Sequence, residues 1–390
     1  MKLAKLFLVL IMCLFPLTSC IDDAREIDHR SMIVGMAIDI EKNDENEDLF
    51  AVTVQIPLIL SSTGDEGSLS GSINEFETVN ATGKTILDAV AQIESRTPTV
   101  VFFGHLKVVT ISEELARQGL DKVIDFFDRL PQVANQIYLL VVGDSTAEDF
   151  INQESPLVAL PSLYLNRFFQ ANQKISRTKD VKLFEYRRDL NMISNAGTIP
   201  LARIDEDKKI VIEGMGVFHD HKLVSKLNDG EVGISELLKN NKVSDLNFTT
   251  TIDTNNREEK VSVTRGDLRA KISFEKENPV TINVKIKGKG EIAEVGNIGI
   301  KVTNELISKV KVRLGENLEE LVRETMSKMQ RENVEPWLIG HRLWAMDDQF
   351  FETLNWEESG WKDSIVNVFV EFEIEHTGQK GYLGKTKIGR

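Results

Sequence analysis

The thiol of Cys20 is the group in this sequence best placed to do chemistry. It ends the tetrapeptide Leu-Thr-Ser-Cys (17–20), which follows lysines at positions 2 and 5 and an apolar run over residues 6–15. A run of this length suits an export signal and is too short to span a bilayer as a helix. The small residues before Cys20 allow a peptidase to cleave there, leaving the thiol at the new N-terminus to accept a diacylglyceryl group. The sequence therefore predicts a signal peptide over residues 1–19 and lipid attachment at Cys20.

The N-terminus has two other interpretations, an ordinary secretory signal that happens to contain a cysteine and the apolar start of a cytosolic protein. A leucine, two small residues and a cysteine directly after the apolar run favour the lipid anchor over both. Past Cys20 the apolar runs, such as 32–40 and 137–142, are of strand length. Because none of them resembles a spanning helix, we expect the lipid alone to hold the chain at the membrane.

The remaining patterns of reactive residues are weak. The sequence His-Asp-His (219–221) offers two imidazoles without an evident third ligand, so a polar turn is favoured over a metal site. The run 80–85 ends in Gly-Lys-Thr, but Thr78 stands where a phosphate-binding loop needs its first glycine. His105 more often satisfies a local hydrogen bond than performs chemistry.

Nucleophile motifs are missing from the sequence. There is no Gly-x-Ser-x-Gly segment, and the only two cysteines are Cys13, which leaves with the signal, and Cys20, which is expected to be acylated. The sequence therefore predicts no enzyme, no metal site and no cofactor.

All four tryptophans lie between residues 337 and 361. Trp337 and Trp344 are seven residues apart, which places them on one face of a helix, and Trp356 and Trp361 flank an acidic turn. Two interpretations stay open: a C-terminal aromatic core, or a candidate partner-facing patch of the kind enriched at protein interfaces.

The chain is strongly acidic, with 61 Asp and Glu against 47 Lys and Arg and a formal net charge of −14. Loss of the signal would remove two of the lysines and make the processed chain more acidic still. Such a charge repels nucleic acid and anionic lipid surfaces. We therefore expect no nucleic-acid partner.

Hydrophobic periodicity predicts an α+β protein with mixed or antiparallel sheets packed against helices. The chain divides into a region over residues 20–200, with an exposed Gly- and Ser-rich loop at 61–72, and a C-terminal α+β domain over 201–390. Strands at 281–287 and 367–375 alternate cleanly, so each has one buried face. A long amphipathic helix is expected over residues 304–330, with Gly315 bending or dividing it.

Several segments, in their order along the chain, resemble the GerC-type (Ger(x)C) lipoproteins of bacterial spore germinant receptors. In the first half they are Glu-Ile-Asp (26–28), Met-Ile-Val-Gly-Met-Ala-Ile-Asp (32–39), Gly-His-Leu-Lys-Val-Val (104–109) and Ser-Glu-Glu-Leu-Ala (112–116). In the second half they are Gly-Met-Gly-Val-Phe (214–218), Lys-Leu-Val (222–224), the long helix, and Trp344, Phe351, Trp356 and Trp361 before His-Thr-Gly (376–378). The resemblance covers nearly the whole chain after Cys20.

This resemblance implies a function that composition does not supply. Such proteins are the lipid-anchored, non-catalytic subunit of a nutrient receptor, held through the acylated cysteine at the outer face of the spore's inner (cytoplasmic) membrane, with two multispanning membrane subunits as partners. It also implies a body of three α+β domains, two of them before about residue 200. The competing hypothesis is a lipoprotein that captures solute for a transporter, a class that usually has two doubly wound α/β lobes.

Overall fold

The computed structural model describes residues 30–57, 76–153, 160–171, 177–254, 257–296 and 302–376. Cys20, the signal segment 1–19 and the loop 61–72 lie outside the described residues. The predictions for these three segments stay predictions.

The described chain alternates strands and helices. The strands are β1 (Arg30–Met32), β2 (Gly35–Lys42), β3 (Asp48–Pro57), β4 (Phe76–Gly83), β5 (Val100–Phe102), β6 (Val108–Ser112), β7 (Tyr138–Val142), β8 (Ala196–Ile204), β9 (Ile210–His219), β10 (Lys222–Leu227), β11 (Lys242–Thr254), β12 (Arg257–Glu275), β13 (Thr281–Val295) and β14 (Ile365–His376). The α-helices are α1 (Ile86–Glu94), α2 (Glu113–Gln118), α3 (Asp121–Arg129), α4 (Ala147–Ile151), α5 (Pro161–Ala171), α6 (Leu183–Leu190), α7 (Asp229–Asn240), α8 (Asn304–Arg331), α9 (Ile339–Met346), α10 (Asp348–Glu352) and α11 (Trp361–Asp363). A 3₁₀ turn covers Phe103–His105 and a π-helical turn covers Trp356–Gly360.

The larger sheet joins eight strands in the order β10-β9-β8-β7-β6-β2-β3-β4. Its centre is parallel, because β6 runs in the same direction as β2 and β7, and β7 in the same direction as β8. Both ends are antiparallel. Every residue of β6 and β7 is buried, as expected for parallel strands covered by helices on both faces.

The predicted domain boundary at residues 200/201 falls inside β8. Strands β8, β9 and β10 continue the eight-stranded sheet as far as Leu227, and the next strand, β11, begins a different sheet at Lys242. Before residue 200, β1 and β5 pair in a separate two-stranded parallel sheet, and the other strands belong to the eight-stranded sheet. The domain count of three and its boundaries stay a prediction.

The second sheet has four strands in the order β11-β12-β13-β14. The first three are antiparallel, and β14 pairs with β13 in parallel. The predicted alternation is confirmed on the inner strand β13 and the edge strand β14, where the side chains of Ile282, Val284, Ile286, Val368 and Phe372 are buried. One face of the sheet therefore carries a core, and the other faces solvent.

Helix α8 covers the buried face of the second sheet. Its bounds agree with the expected helix at 304–330, and it packs on β14 and β11. Gly315 does not divide it, since the helix is continuous through that residue. The buried stripe consists of Leu306, Val310, Leu314, Gly315, Leu318, Val322, Thr325, Met326 and Met329. The mixed α+β class, with sheets packed against helices and a long C-terminal helix, is confirmed.

Helix α4 is capped by Thr146, whose hydroxyl accepts a hydrogen bond from the N–H of Asp149 at 2.9 Å. The buried carboxylate of Asp39 on β2 also accepts from the N–H groups of Ala147 and Glu148, at 2.7 and 3.0 Å. A distant strand residue thus completes this helix N-terminus, where negative charge is favourable.

Candidate functional site

Three of the four tryptophans are buried. Trp337, Trp356 and Trp361 expose 0, 4 and 2% of their surface, whereas Trp344 exposes 40%. The candidate partner-facing patch is therefore wrong for the three buried residues, which form an aromatic core instead. Trp344 stays a candidate for contact with a partner.

The buried indoles of Trp337 and Trp361 pack edge-on, and each has a polar partner. The rings of Trp337 and Trp361 lie 6.0 Å apart at 78°, and Trp356 lies 6.0 Å from Trp361. The indole N–H of Trp337 donates to the hydroxyl of Ser235 at 2.8 Å, and that of Trp361 to the carbonyl of Val334 at 3.0 Å. Because Ser235 lies on α7 and Val334 follows α8, these rings join the helices of the C-terminal half.

A buried carboxylate, Glu335, fixes the turn that places α9. It accepts hydrogen bonds from the N–H groups of Trp337 and Gly340, at 2.7 and 3.0 Å, and from the hydroxyl of Ser194 at 2.5 Å. Burial raises the pKa of Glu335, and these hydrogen bonds oppose that rise. Since Ser194 lies two residues before the start of β8, the contact ties the C-terminal helices to the eight-stranded sheet.

Charged side chains make further contacts across the same junction. Lys239 on α7 pairs with the buried Asp189 on α6 at 2.5 Å. The guanidinium of Arg342 on α9 donates to the carbonyls of Leu238 and Lys239, which lie at the C-terminal end of α7. Burial lowers the pKa of Arg342. A cation at the negative end of a helix is favourable, so α6, α7 and α9 form one connected unit.

A groove of about 600 Å³ opens at this junction beside α9. His341 and Trp344, three residues apart on α9, stack with ring centroids 5.5 Å apart at an angle of 29°. Residues 191–193, which follow α6, line the groove together with α9, α10 and the π-helical turn. The aromatic lining is completed by Phe351 and Trp356, and the acidic lining is Glu352, Glu357 and Glu358.

The weaker sequence patterns have structural roles. Asp220 and His221 form the tight turn between β9 and β10, both with positive φ, which agrees with the favoured polar turn. Thr85, at the end of the phosphate-loop-like run, caps α1 by accepting from the N–H of Asp88 at 3.1 Å.

Across the described residues, no group of three or more His, Cys, Asp or Glu is placed to hold a metal ion. None of the helices in the described ranges is both long and apolar enough to cross a membrane.

Glu335 and Ser194 were missed by the sequence reasoning. A single acidic residue in the otherwise apolar stretch from Val334 to Ile339 is a signal that could have identified Glu335 as buried and bonded. Ser194 carries no such signal, because its partner is 141 residues away in the chain.

Comparison with known proteins places both halves of the chain in one family. The family described as "Spore germination protein N-terminal domain" matches residues 23–204, and that described as "Spore germination B3/ GerAC like, C-terminal" matches residues 213–378. The chain belongs to the GerAC-like family of spore germination proteins. The resemblance drawn from the sequence is therefore confirmed. The buried tryptophans lie in the C-terminal family domain, and the groove is lined by residues of both family domains, since 191–193 belong to the N-terminal one.

Two of the three relatives described next match most of the chain, and the third matches just under half of it. The "Putative spore germination protein YfkR" of Bacillus subtilis (strain 168) is 25% identical over 96% of this chain and 97% of its own length. "Spore germination protein B3" of the same organism is 33% identical over 45% of this chain and 46% of its own length. "Spore germination protein KC", also of that organism, is 20% identical over 91% of each chain.

A solved structure shares the fold. The crystal structure of the GerBC protein matches with a TM-score of 0.51, covering 87% of this chain and 97% of that chain at 16% sequence identity. At this identity the likeness concerns the fold alone. The arrangement of mixed sheets and helices is therefore common to both proteins.

Proposed function

We propose that this chain is the lipid-anchored, non-catalytic subunit of a nutrient germinant receptor in the spore inner membrane. One observation carries the proposal: spore germination proteins match both halves of a chain whose N-terminus has the lipoprotein pattern ending at Cys20. Family membership supports a role in germination, and the cysteine pattern supports a location at a membrane surface.

Acylation of Cys20 would make the attachment lasting. Each buried methylene contributes about 0.8 kcal/mol to the free energy of membrane binding. A protein with one acyl chain therefore exchanges between membrane and solution, whereas two or more chains hold it at the bilayer. The acidic body gains little from electrostatic attraction to anionic lipid, and the lipid on Cys20 would supply the affinity. Nine residues separate Cys20 from Arg30, which keeps the first strand within about 35 Å of the membrane surface.

The partners of the subunit would be two multispanning membrane proteins. A tether of this length places the folded body beside the extracytoplasmic loops of neighbours in the same bilayer. We place the chain on the outer face of the spore inner membrane, where it assists nutrient sensing or receptor assembly. No catalytic group is needed for either role.

A pair of cysteine variants tests this function. Cys20→Ala removes the acceptor of the lipid, so we expect the chain to leave the spore membrane fraction and germination with one class of nutrient to slow or fail. Germination by an agent that bypasses nutrient receptors should be unchanged. The matched control is Cys13→Ala, the same chemical change inside the signal segment, which should behave like the wild type. Normal membrane attachment and nutrient responses of Cys20→Ala spores, in a strain without a paralogue, would refute the proposal.

A further inference from the structure

The groove beside α9 joins an exposed aromatic surface to unneutralised negative charge. On α9, Trp344 exposes 40% of its surface and Met346 exposes 61%. Trp344 lines the groove together with two further aromatic rings, Phe351 and Trp356, whereas Met346, two residues later, lies on another side of the helix. Exposed aromatic surface of this kind is typical of protein contact sites.

The negative charge of the groove has no counter-ion in the described structure. Residues 345–363 contain six carboxylates and a single lysine. Among the described residues, Asp347 pairs with Lys276, whereas the groove carboxylates Glu352, Glu357 and Glu358 make no ion pair. Glu358 accepts a hydrogen bond from the side-chain amide of Asn355 at 2.7 Å, which leaves its charge unneutralised. A site that offers aromatic faces together with carboxylates that lack an ion-pair partner is complementary to a cation with apolar or planar character.

We infer that this groove docks a basic, arginine-bearing segment of a partner protein. The guanidinium is planar, stacks on an indole ring and forms two parallel hydrogen bonds with a carboxylate, so it can use Trp344 and the glutamates at once. The inference deepens the proposed function, which supplies the expectation of protein partners, and it adds the surface and the chemistry of the contact.

The occupant is a protein segment because the groove is larger than one small cation fills. Its volume is about 600 Å³, and its lining comes from α9, α10, the π-helical turn and residues 191–193. A second copy of this chain is disfavoured, since its net charge of −14 opposes an acidic groove. A basic segment of another protein satisfies both the charge and the size of the groove.

Binding of a labelled peptide to the isolated full chain in detergent tests the inference. The probe is a fluorescein-labelled nonapeptide of alternating arginine and glycine, measured by fluorescence anisotropy at about 0.15 M salt, where long-range attraction is screened. Loss of the ring in Trp344→Ala should raise the Kd about five- to tenfold. Loss of two charges in the double variant Glu357→Gln, Glu358→Gln should raise it about three- to tenfold.

Matched controls separate the groove from general attraction to an acidic protein. Phe369→Ala removes another exposed aromatic ring, on the solvent face of the second sheet, and Glu371→Gln with Glu373→Gln removes two charges from that same face. Both controls should bind the peptide within about twofold of the wild type. Thermal unfolding of each variant confirms that the fold is kept.

Two results would overturn the inference. One is equal weakening by the groove variants and their controls, and the other is argininamide binding as tightly as the peptide, which would identify a small cation as the occupant. Because the assay uses isolated protein, it is independent of anchoring and germination. Peptide binding at the groove combined with normal germination of Cys20→Ala spores would refute the receptor role alone.

Discussion

At the scale of single residues, the C-terminal half is organised around Glu335. Its carboxylate satisfies backbone N–H groups in the turn before α9 and reaches Ser194 beside the eight-stranded sheet. A buried carboxylate is costly unless it is bonded, and here every bond is to a donor. One side chain thus sets the position of α9 and, through it, of Trp344.

Replacing Glu335 by glutamine should destabilise the protein. The amide NH₂ would face a donor where the carboxylate accepted, leaving a buried group unpaired, and we expect the free energy of unfolding to fall by about 1–3 kcal/mol. Chemical denaturation of the wild type and the variant measures this difference in the free energy of unfolding. The control is Glu332→Gln, an exposed residue three positions earlier, which should change stability by less than about 0.5 kcal/mol.

The pH dependence of the free energy of unfolding tests the role of Glu335 in a second way. Because the pKa of Glu335 is raised in the folded state, the folded chain holds this proton more tightly than the unfolded chain does. Its contribution to stability is fully present below the unfolded pKa and declines as the pH rises toward the folded pKa. The wild type should therefore exceed Glu335→Gln in stability by more at acidic than at neutral pH. A gap that widens with rising pH would contradict this interpretation.

At the scale of elements, local patterns were predictable and distant pairings were not. The long helix and the alternating strands β13 and β14 follow from periodicity within the segments themselves. The parallel pairing of β7 with β8 joins strands separated by three helices, so no local pattern shows it. The burial of Trp337, Trp356 and Trp361 could not be predicted either, because tryptophans that cluster in the sequence can form a buried core or a surface patch. Only Trp344, at the end of a short helix, stays exposed.

A pair of glycine substitutions tests the packing of α8 on the second sheet. A Cβ on Gly315 would lie 3.6 Å from the carbonyl oxygen of Val370, an ordinary contact, and Gly315→Ala should stabilise the helix by about 0.5–1 kcal/mol. A Cβ on Gly288 would lie only 2.4 Å from the Phe372 ring, so Gly288→Ala should destabilise the sheet. Thermal unfolding of the two variants should shift in opposite directions. Destabilisation by Gly315→Ala would show that α8 packs closer to β14 than described.

At the scale of the whole molecule, the candidate contact surface lies where the eight-stranded and the four-stranded sheets of an acidic body are joined by helices. The GerAC-like domains meet where α6, α7 and α9 connect, and the groove with Trp344 opens at that point. A membrane tether at Cys20 would present this body to neighbours in the bilayer. The central claim is therefore that the chain works as one subunit of a membrane-bound receptor.

Mass spectrometry of the tagged chain purified from detergent-solubilised spore membranes tests this claim most directly. We predict that the chain begins at a lipid-modified Cys20 and that two multispanning membrane proteins co-purify with it. Recovery of an unmodified chain from the soluble fraction, without membrane proteins, would contradict the claim.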